Sequence, residues 1–328
     1  MVGTCSWTDP TLVRGTDWYP KRSMSAGERL RYYATQFSLV EADGTYYRPP
    51  SAELARGWAE RSPEGFCFDV KAYGLFTGHP VDPVTLWPDI RQAVAGGPNG
   101  PARGGGTAKG GSGQGGSDQG GSQGGRAEDS SGPRRVYAHH LPPDALDEAW
   151  ARFMNALRPL RDAGKLGAVL LQYPPWFGPK RSNREELERL PPRLDGVTAC
   201  VEFRSPAWLG PGERSRTLGL LRELGLVHVV VDAPASSGLE PVVEVTCDEL
   251  AVTRFHGRAD STWKARNVSA AERFRYLYDE EELWEWAPRA RTLAERASRV
   301  HLLMNNCYQD YGVRNAAQLA RLLAVQPA

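Results

Sequence analysis

Three pairs of ionisable residues sit two positions apart at the ends of short apolar runs: Glu41 and Asp43 in SLVEADGTYYRPP, Glu202 and Arg204 in ACVEFR, and Arg254 and His256 in AVTRFH. On an extended chain, period-two spacing puts both members of a pair on one face. Other apolar runs also end in polar groups: Lys71, Gln172, Asp232, and Asn305 with Asn306. Carboxylates and cations gathered in this way can keep one acid neutral and another ionised, because burial raises a carboxylate pKa while a neighbouring arginine lowers it. General acid/base hydrolysis depends on that difference. The same charges, paired off among themselves, would be inert salt bridges bracing the ends of the elements.

The acid/base candidates are Glu41, Asp43, Glu202, Asp232 and His256. Lys71, Arg204, Arg254 and Arg258 are the candidate anion binders, the arginines through their forked donors. Gln172, Asn305 and Asn306 can hydrogen-bond a ligand or cap a following helix, and Gly257 permits close backbone approach. Trp7, Tyr46 and Tyr47 fall after apolar runs, where they either stack on a substrate or roof the fold. Of the six histidines only His256 ends a run among charged neighbours. His228 and His301 lie early in their runs and are expected to be structural, while His79, His139 and His140 lie in or beside loops. One histidine at the shared end does not make a zinc cluster. Mg²⁺ or Mn²⁺ on the carboxylates is allowed, and the sequence fixes no cofactor.

The elements that must position these groups are eight Val-rich runs, at 2–7, 39–43, 66–72, 167–172, 199–204, 227–232, 251–256 and 300–305. They have the length and continuous hydrophobicity of buried parallel strands. Helical patterns lie between most of them. The stretch 25–37 sets Leu30, Tyr33 and Phe37 on one face; 144–164 has Asp144 as expected N-cap and Gly164 as expected C-cap; 314–325 closes the chain. The interval 233–250 is too short and turn-like for a helix. This alternation predicts a single-domain TIM-type (β/α)8 barrel over 1–328, with the C-terminal end of every strand facing one mouth. An open doubly wound sheet is the competing architecture, but no GxGxxG follows the first run. Residues 96–135, dense in Gly and Ser, read as a flexible insertion within the barrel.

The chain has 328 residues and a net charge of +1, so no global basic field points to nucleic acid. No apolar run approaches the roughly 20 residues of a membrane span. The N-terminus lacks the charged and apolar regions of a signal peptide. Five scattered cysteines without CxxC imply neither disulfides nor a zinc knuckle, and a reducing, cytoplasmic setting is expected. Oligomeric state is not fixed by the sequence.

The segments VGTCSWTDPTLV, LRYYATQFSLVEADGTYYRPP, GFCFDVKA, GAVLLQYPPWF, CVEFRSPAWL, VVVDAP, RFHGR and NNCYQDYGVRNAAQL occur in the order of the YecE-like family, domain of unknown function 72, which the chain resembles everywhere except 96–135. The resemblance implies a TIM-type barrel and no established activity. At the opening motif the family pattern has Glu, then Asn or Asp, then a small hydroxyl residue; Gly44 stands at the hydroxyl position. The residues themselves favour hydrolase-type chemistry on an anionic or polyhydroxyl substrate, a phosphodiester or sugar phosphate. The alternatives are a non-catalytic nucleic-acid-binding module using the aromatic and arginine rim, and a scaffold.

Overall fold

A computed structural model describes residues 1–94, 135–263, 265 and 268–324. The insertion expected over 96–135 therefore lies outside the described residues, Arg135 excepted. Eight parallel strands close into a barrel in chain order: β1 (Val2–Thr4), β2 (Leu39–Ala42), β3 (Cys67–Lys71), β4 (Leu166–Tyr173), β5 (Ala199–Phe203), β6 (Val227–Asp232), β7 (Ala251–Phe255) and β8 (Val300–Met304). β8 pairs with β1 to complete the ring, and no strand edge is left open.

Each strand is buried on both faces, and the faces do different work. Leu39, Cys67, Leu170, Cys200, Val229, Val252 and Leu303 fill the barrel interior. Val40, Phe68, Val169, Val201, Val230 and Leu302 pack outward under the helices. The helix Ala26–Tyr33 starts at a capping box, in which Ser25 and Glu28 each accept the other's backbone N–H. Its Tyr33 hydroxyl accepts from Thr4 N–H and donates to the Leu39 carbonyl, so one side chain ties β1 to β2.

The helix expected at 144–164 runs Pro143–Asp162. Asp144 is inside its first turn and does not cap it, because Pro142 and Pro143 set the entry. Ala163 closes the helix, and Gly164 follows at φ +64, a left-handed position suited to glycine. The last helix starts earlier than the pattern suggests, at Tyr311, and ends at Ala324. The connection 233–250 is irregular as expected, with a short 3-10 turn at Ala235–Ser237. It is anchored where Thr246 Oγ1 donates to the Leu226 carbonyl and His228 Nε2 meets the Val242 carbonyl at 3.1 Å. No helix among the described residues is long and apolar enough to cross a membrane.

Candidate functional site: a charged lattice at the barrel mouth

Glu41, Lys71, Gln172, Glu202, Arg254 and Asn305 continue the inward-facing rows of β2, β3, β4, β5, β7 and β8. Each lies an even number of residues beyond an interior apolar residue, so the pleat turns it inward. Arg254, fully buried, is the hub. Its Nε and Nη2 donate to the two oxygens of Glu41, both at 2.8 Å, while Nη1 donates to Glu202 Oε2 at 2.5 Å and Nη2 to Asn305 Oδ1 at 3.2 Å. Burial lowers the pKa of the guanidinium, but Glu41 and Glu202 more than offset this and raise it well above the usual arginine range.

Glu202 is shared more widely. Arg204 Nε lies 2.5 Å from Oε1, His256 Nε2 3.1 Å from it, and the Gln172 amide donates to it at 3.3 Å. Burial opposes its charge, yet Arg204, Arg254 and His256 drive its pKa well below the carboxylate range. His256 is held at its other nitrogen by the Asn305 amide, 2.7 Å from Nδ1. With Asn305 Oδ1 accepting from Arg254, its amide nitrogen faces the ring, so Nδ1 accepts and Nε2–H donates to Glu202. The imidazole is thus neutral, and burial followed by Arg204 pushes its pKa down to about 3. His256 therefore stands at the mouth as a neutral group, and Glu202, its pKa held well below the carboxylate range, is ionised near neutral pH.

Asp43 and Lys71 stand apart from this lattice. Among the described residues neither side chain makes a hydrogen bond or ion pair; Lys71 Nζ lies 4.7 Å from the Tyr46 ring centroid. Burial, then the charge of Glu41, raises the Asp43 pKa from 3.8 to about 7. Burial, then Arg254, lowers that of Lys71 against the pull of Glu41, Glu202 and Asp43. The turn Asp43–Tyr46 presents the acid, pinned where Thr45 Oγ1 donates to the Ala42 carbonyl at 2.7 Å. Gly44 is exposed, with nothing within 4 Å of the point a Cβ would occupy, so a hydroxyl residue there would face solvent rather than the mouth.

Four expected site residues belong elsewhere. Asp232 follows Val227, Val229 and Val231, the inward row of β6, by an odd step and so points outward. There it accepts from Tyr278 Oη at 2.7 Å, Trp286 Nε1 at 2.7 Å and Arg258 Nη2 at 2.8 Å. With its oxygens filled, it is an anchor for the helices Glu280–Trp284 and Trp286–Ala294 and not an acid/base group. Arg258 is engaged by Asp232, Glu282 and Glu285. Asn306, one step beyond the inward Asn305, donates to the Tyr276 carbonyl and to Asn315 Oδ1, both at 2.8 Å. Trp7 is core: its indole donates to the Ala26 carbonyl and its ring packs edge-on against Trp58 at 5.5 Å. Gly257, at φ +83, makes its close approach to Tyr276.

A cleft of about 500 Å³ opens beside Gln172 and Arg204, walled by His79, Trp263, Arg273 and Phe274. Sequence reasoning assigned none of these four to the site. His79 leaves a trace in the sequence only as part of the loop after β3, yet it meets the rings of Tyr46 at 5.3 Å and Trp176 at 5.8 Å. Burial, then Lys71 and Arg204, lower its pKa to about 4, so it is a neutral donor or acceptor. The Arg204 guanidinium lies 5.2 Å from the Trp263 ring centroid. Arg204 lines the cleft, and apart from its ion pair with Glu202 its guanidinium makes no hydrogen bond among the described residues. Tyr47 and Trp176 are each 64% exposed on the rim.

The family model described as protein of unknown function DUF72 matches residues 1–328. The UPF0759 protein YunF of Bacillus subtilis (strain 168) is 24% identical over 99% of this chain and 95% of its own length. A DUF72 family protein of Thermotoga maritima MSB8 superposes with a TM-score of 0.69 at 25% identity over 99% of both chains. One from Enterococcus faecalis V583 does so at 0.70 and 21% identity, over 99% of this chain and 96% of its own.

Proposed function

We propose that this chain, which belongs to the DUF72 family of proteins of unknown function, is an acid/base hydrolase of anionic substrates, phosphodiesters or sugar phosphates, with Asp43 as the proton-transferring group. One observation carries the proposal: where Glu41, Glu202, Arg254, His256 and Asn305 bond to one another, the half-buried Asp43 carboxyl, its pKa raised to about 7, and the half-buried Lys71 amine make no hydrogen bond or ion pair among the described residues. A group poised near the operating pH is the efficient choice for proton transfer. Lys71 and Arg204, which lines the cleft, would hold the anion, with Gln172 and His79 as neutral hydrogen-bonding groups. Glu41 and Glu202, two of the acid/base candidates, act instead as positioning residues that fix Arg254, Arg204 and His256. No step calls on a metal, although Asp43 could contribute an oxygen to Mg²⁺ or Mn²⁺.

The test is turnover of a panel of aryl phosphodiesters and sugar phosphates by wild type and by Asp43→Asn. A general acid/base contribution is worth about 10²–10⁴-fold, so kcat should fall by that factor while the fold is retained. A wild-type rate in Asp43→Asn on any substrate that wild type hydrolyses would refute the assignment. The exposed rings of Tyr47 and Trp176 favour a second role, stacking on single-stranded nucleic acid. It predicts oligonucleotide binding that weakens steeply with salt and is lost in Trp176→Ala. Salt-insensitive or absent binding would dismiss that role.

A further inference from the structure

Lys71 offers the mouth a chemistry that needs its amine rather than its charge. The residue ends β3 on the inward row that also holds Cys67. It is half-buried, and its Nζ sits 4.7 Å from the Tyr46 ring centroid. The carboxylates that would ordinarily pair with a lysine here are already taken. Both Glu41 oxygens accept from Arg254, Glu202 Oε2 accepts from it too, and Glu202 Oε1 faces Arg204 and His256. Two carboxylates and two guanidiniums leave that lattice neutral, so a further ammonium beside it lacks a counter-charge. Asp43 could balance it, yet the two make no ion pair among the described residues. Burial and then the Arg254 cation push the Lys71 pKa down. These are the two devices by which proteins free a lysine amine to attack a carbonyl.

Asp43 stands where that attack needs an acid. Ala42 pairs with Val70 across β2 and β3, so Asp43 and Lys71 follow side by side. Thr45 Oγ1 donates to the Ala42 carbonyl and, at 2.5 Å, to the Lys71 carbonyl, which pins the turn carrying Asp43 to the backbone of the lysine. Each of the two charges acts on the pKa of the other. The Tyr46 ring leads from the amine to His79, 5.3 Å away, and His79 walls the cleft that Arg204 also lines. Lys71 and Arg204 both depress the His79 pKa, so amine and guanidinium both stand near this wall.

We propose that Lys71 forms an imine with small phosphorylated aldehydes or ketones, with Arg204 holding the phosphate and Asp43 supplying the proton that expels water. The amine nitrogen bonds to the carbonyl carbon, and the carbonyl π pair moves onto oxygen. That oxygen takes the Asp43 proton, while the new ammonium nitrogen returns one proton to the carboxylate. The neutral carbinolamine then takes the Asp43 proton on its hydroxyl. Its C–O bond breaks, water leaves, and the nitrogen lone pair closes the C=N⁺ bond. Lys71 ends as an iminium and Asp43 as a carboxylate, one cation beside one anion. Neither oxidant nor reductant enters, and water reverses every step. The imine shares Asp43 and Arg204 with the hydrolytic reading but needs no hydrolysis.

The full-length wild-type chain, incubated near neutral pH with glyceraldehyde 3-phosphate and sodium cyanoborohydride, supplies the test. Hydride delivered to the iminium carbon fixes it as a secondary amine. Intact mass should show a single adduct, and peptide mapping should place it on Lys71 at least tenfold over the exposed Lys21 and Lys180. Lys71→Arg should lose it. No adduct, an adduct spread evenly over the lysines, or an undiminished adduct in Lys71→Arg would overturn the proposal. Should Lys71→Arg not fold, the wild-type map decides alone. Glyceraldehyde itself should label Lys71 at least tenfold more slowly, and equal labelling would overturn the phosphorylated class. Trapping proceeds without turnover, so its result is separate from that of the Asp43→Asn hydrolysis assay.

Discussion

Asp43→Asn should make the protein more stable above neutral pH while removing its proposed chemistry. The folded carboxyl has a pKa of about 7 against 3.8 when free. Between those values the unfolded chain gives up a proton that the folded chain retains, so folding loses ground as pH rises through the window. Asparagine resembles the neutral acid and escapes this penalty. The shift of about 3 units corresponds to about 4 kcal/mol at most. Because the side chain is partly solvated, we discount this to roughly 1–3 kcal/mol. Unfolding entropy of about 2.1 cal/mol/K per residue gives roughly 0.6–0.7 kcal/mol/K for a chain of this length. The expected gain in Tm is therefore about 2–5 °C at pH 8, shrinking to nothing near pH 4. Thermal unfolding of both proteins by circular dichroism across that range supplies the measurement. A gain that does not change with pH, or a variant less stable than wild type at pH 8, would refute the reasoning. Either result would mean that Asp43 ionises freely at the mouth.

Two other perturbations separate the lattice from the proton-transfer group. Glu202→Gln removes the charge that faces Arg204 and Arg254 in a buried setting and should cost about 3–5 kcal/mol. At the entropy above, Tm then falls by about 5–8 °C at pH 7, and the deficit should narrow in acid as wild type itself protonates Glu202, whose folded pKa is depressed. His256, with a pKa lowered to about 3 from 6.5, strengthens folding above pH 6.5 and does so less and less as pH falls. Its ring resonances in histidine-labelled NMR should stay flat from pH 8 to about pH 5, and a midpoint above 6 would contradict the neutral tautomer assigned to it.

The barrel was legible because eight Val-rich runs alternate with helical patterns, a property of the whole chain that local accidents do not disturb. The mouth was half legible. Where a strand end carries two polar residues at period two, as at Glu202 and Arg204, the pattern itself says that both face the same way, and they do. VHVVVD contains no such clue. One face of that strand is all valine and the other carries His228 and Val230 ahead of Asp232, but a lone buried histidine does not say that Val231 faces the barrel and Asp232 the helices. Asn305 and Asn306 pose the same question, and their opposite fates follow from a single step of the pleat. Trp7 misleads for another reason: β1 ends at Thr4, and strand parity no longer governs the chain beyond it. The cleft residues Trp263 and Phe274 lie in one long connection after β7, and only tertiary structure brings them to Arg204.

The Arg254 hub also bears on how the barrel assembles. Its partners Glu41 and Glu202 are 213 and 52 residues away in the chain. No fragment containing only neighbouring strands can form these bonds, and contacts so distant in sequence come late, after the loops between them have closed. Interactions absent from the transition state leave the folding rate nearly unchanged and act on the unfolding rate. The hub should therefore work as a latch on a closed ring, setting how long the native barrel persists rather than how quickly it forms. Glu202→Gln would show this as a steeper loss of native lifetime than of refolding speed.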